Sequence, residues 1–172
     1  HRGAALEALR ARFNESAGGK PKLTLLPFIA RAICTAIAEQ PQLNAHFDDA
    51  AGMLKQFKSV HIGVATQTRD GLVVPVLRDA QNRDLWDSAT EIARLADAAR
   101  DGQAKREELS GSTITITSLG KLGGIVTTPI INAPEVAIIG INKVRTAPVW
   151  DGEAFVPRQV MNISASFDHR VI

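Results

Sequence analysis

Apolar residues recur at helical spacing through the first part of the chain. Between Ala4 and Asn14 they fall at Leu6, Leu9 and Phe13, so one stripe of a helix is apolar, and the run Ser16-Ala17-Gly18-Gly19-Lys20-Pro21 breaks it. A second helix is expected after Thr24, which suits an N-cap, with Pro27 in the first turn, where its missing N–H is harmless. Leu25, Leu26, Ile29, Ile33 and Ile37 make this helix apolar almost all round, which predicts a buried position, and Gln40-Pro41 ends it. Short strands are expected at Leu43 to Phe47 and Met53 to Phe57.

From Val60 onward the period shortens to that of a strand. Val60 to Thr68 alternates apolar and polar residues, Arg69-Asp70-Gly71 supplies turn chemistry and Leu72 to Val76 resumes the extended pattern, which reads as a hairpin. Asp84 to Arg100 is an amphipathic helix with Leu85, Ala89, Ile92, Ala93, Leu95, Ala96 and Ala99 inward and Gly102 as its terminator. Thr113 to Ser118 is a β-branched strand, Val136 to Val144 a strand apolar on both faces and Gln159 to Asp168 the last, while two tight strands flank Asp151-Gly152. Helices are few and not regularly interleaved with strands. That argues against a doubly wound sheet and for an α+β two-layer sandwich, a mixed β-sheet with helices on one side. No repeat or low-complexity linker divides residues 1–172, so a single domain is expected. A helix already in progress at one end and a strand end at the other read as cuts in a longer protein.

Composition narrows the function classes. A 45% hydrophobic and 22% charged chain is of ordinary globular type. Its 20 Lys and Arg against 18 Asp and Glu are scattered rather than gathered into a stripe, so no nucleic-acid track is expected. Apolar runs fall short of the roughly 20 residues a bilayer demands and no signal peptide opens the chain, so no membrane association and an intracellular, reducing compartment are expected. The one cysteine, Cys34, lies in an apolar run and reads as a small buried side chain. With one cysteine and four dispersed histidines there is no metal-ligand spacing, and no metal is expected.

Imidazole is the side chain that titrates near neutrality without help, so the histidines come first as candidates for acid/base work. His1, His46 beside Asp48 and Asp49, and His61 at a strand start all read as surface or packing residues. His169 differs. It follows the strand Ile163-Ser164-Ala165-Ser166-Phe167, a rigid platform, and is bracketed by Asp168 and Arg170, which read equally as a structural ion pair. The stretch from Thr115 to Gly124 matches neither phosphate-loop nor dinucleotide patterns and reads as a strand end running into a flexible turn with two hydroxyls. No G-x-S-x-G elbow of a serine hydrolase occurs.

Several segments carry a resemblance in sequence order. Ser166-Phe167-Asp168-His169-Arg170-Val171-Ile172 resembles the D-H-R-x-x-D-G signature of the dihydrolipoamide acyltransferases of 2-oxo acid dehydrogenase complexes, broken off before its second aspartate. Gly111 to Gly120 and Pro129 to Ile138 are similar to two further segments of that family, and Val74-Pro75-Val76 and Leu25-Leu26-Pro27-Phe28 also fit. Thr-Ile-Thr-Ser-Leu-Gly followed by Gly123-Gly124-Ile125-Val126 leans toward the branched-chain members.

The resemblance implies the catalytic, C-terminal domain, a chloramphenicol acetyltransferase-like fold, and acyl transfer from S-acyl-dihydrolipoamide to coenzyme A. It makes His169 the base for the coenzyme A thiol and Thr117, where the family usually has serine, the hydroxyl facing the oxyanion, with Ser118 as fallback. It puts coenzyme contacts at Arg10, Thr24, Gln67, Ser118 and Asn142, and Asp168 and Arg170 as supports of the histidine loop. Thr24 reads equally as a helix cap, Gln67 as an exposed strand residue and Arg10 as a solvated helix charge. The resemblance also implies a homotrimer with sites between protomers, assembling into a large core. The lipoyl group is then carried on a domain outside this chain, decarboxylase and dihydrolipoamide dehydrogenase components dock through upstream domains, and the location is the bacterial cytoplasm or mitochondrial matrix. The competing reading is a non-catalytic core or binding subunit of the same kind of complex, against which His169 argues.

Overall fold

The computed structural model describes residues 2–118 and 123–172; His1 and residues 119–122, part of the glycine-containing stretch read above as a flexible turn, lie outside them. In chain order the elements are α1 (Arg2–Glu15), α2 (Leu26–Glu39), β1 (Ala45–Asp48), β2 (Met53–Gln56), β3 (Ile62–Thr68), β4 (Gly71–Val73), β5 (Val76–Leu77), α3 (Leu85–Arg100), β6 (Ile114–Ser118), β7 (Ala137–Ile141), β8 (Arg145–Trp150), β9 (Phe155–Val160) and β10 (Ile163–Phe167). Six strands form one mixed sheet in the order β10-β7-β6-β3-β4, with β5 also on β3. β3, β6 and β7 run parallel, and β10, β4 and β5 are antiparallel to their neighbours. The hairpins β1-β2 and β8-β9 form two separate ribbons. This is the α+β arrangement that the patterning predicts.

Alternation of isoleucine with hydroxyl residues decides which side of the sheet each half of the protein occupies. The register sets Ile62 beside Ile114, Val64 beside Ile116 and Ile116 beside Ile139, so one face is a continuous apolar surface. Ile29, Ala30, Ile33 and Ile37 of α2 and Ile92 of α3 close over it and, with Val60, Leu77 and Ile141, form the core. The intervening residues Thr115, Thr117, Ser164 and Ser166 emerge on the opposite face, two residues apart on each strand. There the crossover from β6 to β7 serves as a cover. Thr127 N–H donates to Ser164 Oγ (3.2 Å), and Ser166 Oγ donates to the Pro129 carbonyl (2.6 Å). A Cβ added to Gly140 would stand 2.8 Å from Thr127 Oγ1, so the crossover lies this close to the sheet because residue 140 has no side chain.

The crossover is anchored by a buried carboxylate. Glu135 is 3% exposed and accepts from Ser112 Oγ, Thr115 Oγ1 (2.7 Å) and Asn132 Nδ2 (3.3 Å). Burial pushes its carboxyl above the ordinary value, and the three donors together with His46 offset this only in part. His46, on β1, meets the Ser112 carbonyl through Nε2 at 2.8 Å, which ties the β1-β2 ribbon to the same corner.

Four local expectations are corrected. Thr24 does not cap α2: Leu25 occupies the cap position in helical conformation, without a side-chain bond, and Thr24 is exposed. Pro27 falls at the second helical position, so one of the N–H groups a capping oxygen would seek is absent. The strand expected from Leu43 begins at Ala45, because Pro41–Leu43 is a 3-10 turn and the Asn44 side chain is buried, donating to the Phe57 and Ser59 carbonyls. The second arm of the hairpin splits at Val74-Pro75, since Pro75 has no N–H to donate and contributes its carbonyl to Val64 N–H (2.8 Å). The expected strand from Gln159 to Asp168 is two strands in different sheets. It breaks at Met161-Asn162, where the Asn162 carbonyl accepts from the backbone and side chain of Asn142 and its own amide donates to Ile125.

Two measurements check this layer. Folded Glu135 holds its proton more tightly than the unfolded chain does, so the stabilisation of the parent relative to Glu135→Gln shrinks as pH rises above about 4.5. Urea unfolding of both chains across that range gives the difference directly, and a constant or growing difference contradicts the assignment. Gly140→Ala is expected to cost about 1–3 kcal/mol through overpacking, and Thr127→Ala in the same chain recovers most of it.

Candidate active site

The parallel register gathers most of the expected coenzyme and hydroxyl residues at one end of the sheet. Ala65 pairs with Thr117 and Thr117 with Gly140, so Thr117 and Gln67 lie on the crossover face near the carboxyl ends of β3 and β6. Asn142, just past β7, belongs to the same face and is 4% exposed. Its amide donates to Ser164 Oγ (2.9 Å) and the Asn162 carbonyl (3.1 Å), while its Oδ1 is buried with no partner among the described residues, as is Thr127 Oγ1. Gly140 lies between Thr117 and Ser164 in register, and the two buried, unpartnered oxygens make this corner of the sheet polar rather than a dry core. Ser118 pairs with Ile141, so its side chain leaves from the helix-covered face, opposite to Thr117. Of the two hydroxyl residues, Thr117 is the one on the crossover side.

His169 is at the other end. It sits in the turn that follows β10, exposed, with Nδ1 at 3.2 Å from the Ile172 carbonyl. The turn is held from both sides. The Asp168 N–H donates to the Val136 carbonyl (2.8 Å), and the Asp168 carbonyl accepts from Val171 and Ile172 N–H. Arg170 donates to the Asp168 carboxylate through Nε (2.9 Å) and Nη2 (2.7 Å), which holds that carboxyl down at about 2. The same guanidinium reaches Asp49 (2.6 Å) and lies 4.6 Å from the centre of the Phe47 ring. Asp168 and Arg170 thus form the pair expected of them, but the sequence reading missed Asp49 and Phe47. Both come from the β1-β2 ribbon, and nothing in local spacing links residue 49 to residue 170.

Arg10 and Thr24 come together at a third place. Arg10 pairs with Glu7 (2.8 Å) and donates to the Leu23 carbonyl (3.3 Å), beside exposed Thr24. Within one chain this arginine is already committed to a carboxylate.

One chain does not bring His169 to Thr117. Ser166 and Thr115 are both level with Ile138, and β10 runs against β6, so the chain moves away from Thr117 as it approaches His169. From Phe167 to Thr117 the offset is about 10 Å along the strands and about 10 Å across them, beyond any hydrogen bond. Among the described residues no group of three or more His, Cys, Asp or Glu is placed to hold a metal ion, and no helix is long and apolar enough to cross a membrane.

Residues 3–172 match the family of 2-oxoacid dehydrogenases acyltransferase (catalytic domain), and the chain belongs to it. It is 58% identical over 168 residues to the lipoamide acyltransferase component of the branched-chain alpha-keto acid dehydrogenase complex of Pseudomonas aeruginosa, a match that takes in 97% of this chain and 39% of that protein. A structure of Azotobacter vinelandii dihydrolipoamide acetyltransferase, determined to examine the role of a serine, a histidine and an asparagine in catalysis, superposes with a TM-score of 0.92 at 42% identity, covering 99% of this chain and 70% of that one. The cubic core of the pyruvate dehydrogenase multienzyme complex superposes at 0.91 and 42% identity, with the same coverage. A chloramphenicol acetyltransferase superposes at 0.59 with 15% identity over 95% of this chain and 75% of its own, which shares the fold.

The brace on the histidine turn is directly testable. Arg170→Ala should leave the thermal midpoint nearly unchanged, because the guanidinium itself is more than half exposed. It should accelerate hydrogen exchange of the Val171 and Ile172 amides, which depend on the turn it holds, and equal protection in both chains would contradict the brace.

Proposed function

We propose that the chain is the acyl-transferring part of a larger lipoamide acyltransferase, moving an acyl group from the S-acyl-dihydrolipoyl arm to coenzyme A. The observation that carries this reading is the family match over residues 3–172 combined with the Asp168-His169-Arg170 turn, which presents an exposed, braced imidazole at a strand end. The serine and histidine of the Azotobacter enzyme stand the same number of residues apart as Thr117 and His169 do here, which supports Thr117 in the hydroxyl role.

The chemistry follows from ordinary acidities. A thiol ionises near 8.5 and an imidazole near 6.5, so His169 is a suitable base for the coenzyme A thiol. The sulfur it frees attacks the acyl carbon of the dihydrolipoyl thioester, and the carbonyl oxygen becomes an oxyanion that the Thr117 hydroxyl meets by hydrogen bonding. Collapse breaks the bond to the dihydrolipoyl sulfur, which takes the proton back from the imidazolium. A preorganised donor of this kind contributes roughly 3 kcal/mol. Threonine keeps the hydroxyl of the usual serine and restricts its rotamer. Gln67 and Asn142, on the face of Thr117, and Ser118, Arg10 and Thr24 are read as coenzyme contacts.

The separation of His169 from Thr117 within one chain supports a site made by two protomers, the imidazole of one meeting the hydroxyl end of its neighbour. The edge strand β10 supports the same reading, since Phe167 is left 37% exposed beside the histidine turn and Ile163 58% exposed at the other end of the strand. The assembly is read as a homotrimer built into a large core in the bacterial cytoplasm or mitochondrial matrix. Decarboxylase and dihydrolipoamide dehydrogenase partners, and the lipoyl group itself, are reached through segments upstream of this chain. The high identity to a branched-chain component supports a branched acyl group.

Mixed assemblies provide the test. In the full-length protein, His169→Ala is expected to lower kcat by about 100-fold to 10,000-fold and Thr117→Val by about 100-fold or more, while Thr117→Ser stays near the parent. Co-assembled His169→Ala and Thr117→Val chains should regain a fraction of parental activity, because some interfaces then combine an intact imidazole with an intact hydroxyl. A mixture no more active than its components contradicts the shared site, and equal rates for parent and His169→Ala contradict the function.

A further inference from the structure

Acyl transfer as described leaves one buried charged group without a role. Among the described residues Glu135 is the one charged residue that is buried, at 3% exposure. Ser112 Oγ, Thr115 Oγ1 (2.7 Å) and Asn132 Nδ2 (3.3 Å) converge on its carboxylate as donors. Burial penalises the charge and leaves the carboxyl above its ordinary value even with these donors. Well-packed apolar side chains in place of such a group are often no less stable, so stability alone is a poor reason for a carboxylate here.

The residues on either side of Glu135 carry the histidine turn. The Val136 carbonyl accepts from Asp168 N–H (2.8 Å), and the Pro134 carbonyl accepts from Phe47 N–H (2.9 Å). Phe47 and Asp49 in turn meet the guanidinium of Arg170, which forks onto Asp168. His46 faces Glu135 in an isolated antiparallel bridge and meets the carbonyl of Ser112, whose hydroxyl donates to Glu135. Pro134 and Glu135 belong to no strand, so the carboxylate and this bridge take the place of a ladder there. Thr115 differs, since it is paired with Gly63 on one side and Ile138 on the other, and two parallel ladders hold β6 and Thr117 without help from the carboxylate.

Resting on the acyl-transfer reading and its shared site, we propose that Glu135 is a positioning residue for the histidine half of that site. Its carboxylate, gripped by Ser112, Thr115 and Asn132, fixes Pro134 to Val136, and the His169 turn is mounted on those three residues and on the ribbon they hold. Glu135 touches no reacting atom. It acts along two routes, through Val136 to Asp168 and through Phe47 to Arg170. A carboxylate suits the place because it only accepts, and donors from β6 and the crossover can converge on its two oxygens. A misplacement of the imidazole by about 1 Å is enough to lower the rate on the order of 100-fold.

Kinetics and co-assembly test this together. In the full-length assembled protein, Glu135→Ala should lower kcat roughly tenfold to 100-fold and leave KM for coenzyme A near the parent, because none of the expected coenzyme contacts touches Glu135. Glu135→Gln, which keeps the side chain's length and an acceptor oxygen, should recover most of the loss. Co-assembled with Thr117→Val chains, Glu135→Ala should regain activity, since some interfaces then join a well-held imidazole to an intact hydroxyl. Co-assembled with His169→Ala chains it should stay at the level of its components. Ser112→Ala, which removes one of the three donors, should give the same pattern with a smaller loss, and it supplies the measurement if Glu135→Ala does not assemble. Recovery with His169→Ala chains, recovery with neither partner, or a raised KM at unchanged kcat overturns the assignment. If His169→Ala and Thr117→Val chains fail to complement each other, the shared site is lost and this assignment with it; if they complement while Glu135→Ala recovers with neither, Glu135 alone is ruled out.

Discussion

The arrangement depends on one constraint: β6 is held in parallel register between β3 and β7 with isoleucines on one face and hydroxyls on the other. The isoleucine face is sealed by α2 and α3 and supplies the apolar burial that stabilises the fold. The hydroxyl face cannot be sealed by another apolar layer, because each buried hydroxyl needs a partner. It is covered instead by a crossover whose own backbone supplies those partners, at Ser164 and Ser166, and whose carboxylate, Glu135, supplies one at Thr115. A sheet with one dry and one polar face is therefore built into the alternation of a single five-residue strand.

That polarity is what sets the carboxyl ends of β3, β6 and β7 apart as the candidate site. Thr117 emerges between Ala65 and Gly140, neither of which has a side chain large enough to cover it. Gly140 serves two ends: it admits the crossover, and it leaves the strand next to Thr117 bare. Two buried oxygens left without donors, on Asn142 and Thr127, mark the same corner as a place where a ligand's N–H or O–H groups would be gained rather than lost.

The histidine turn follows a different logic. Its anchoring is local and electrostatic, with Asp168 held by three backbone hydrogen bonds and a forked arginine that also grips the β1-β2 ribbon. The turn stands proud of the sheet edge with its imidazole in solvent. The outward imidazole at one end of the sheet and the hydroxyl set on the crossover face at the other are the two halves of the proposed site. Between the two ends, Ile163 and Phe167 leave edge strand β10 with exposed apolar side chains.

Much of this was legible in the chain. Periodicity locates α1, α2 and α3, the alternation in Thr113 to Ser118 identifies β6, and the Asp-His-Arg ending singles out His169, because these signals reside in neighbouring residues and their spacing. What failed were positions where a distant partner decides: Thr24 loses its capping role to the geometry around Pro27, and Asn162 breaks an apparently continuous strand because Asn142 and Ile125 claim its polar groups. The contacts of Arg170 with Asp49 and Phe47, the burial of Glu135 and the distance between His169 and Thr117 have no counterpart in local pattern. They arise from strand order and register, which are set by how the apolar faces pack and not by any one segment's composition.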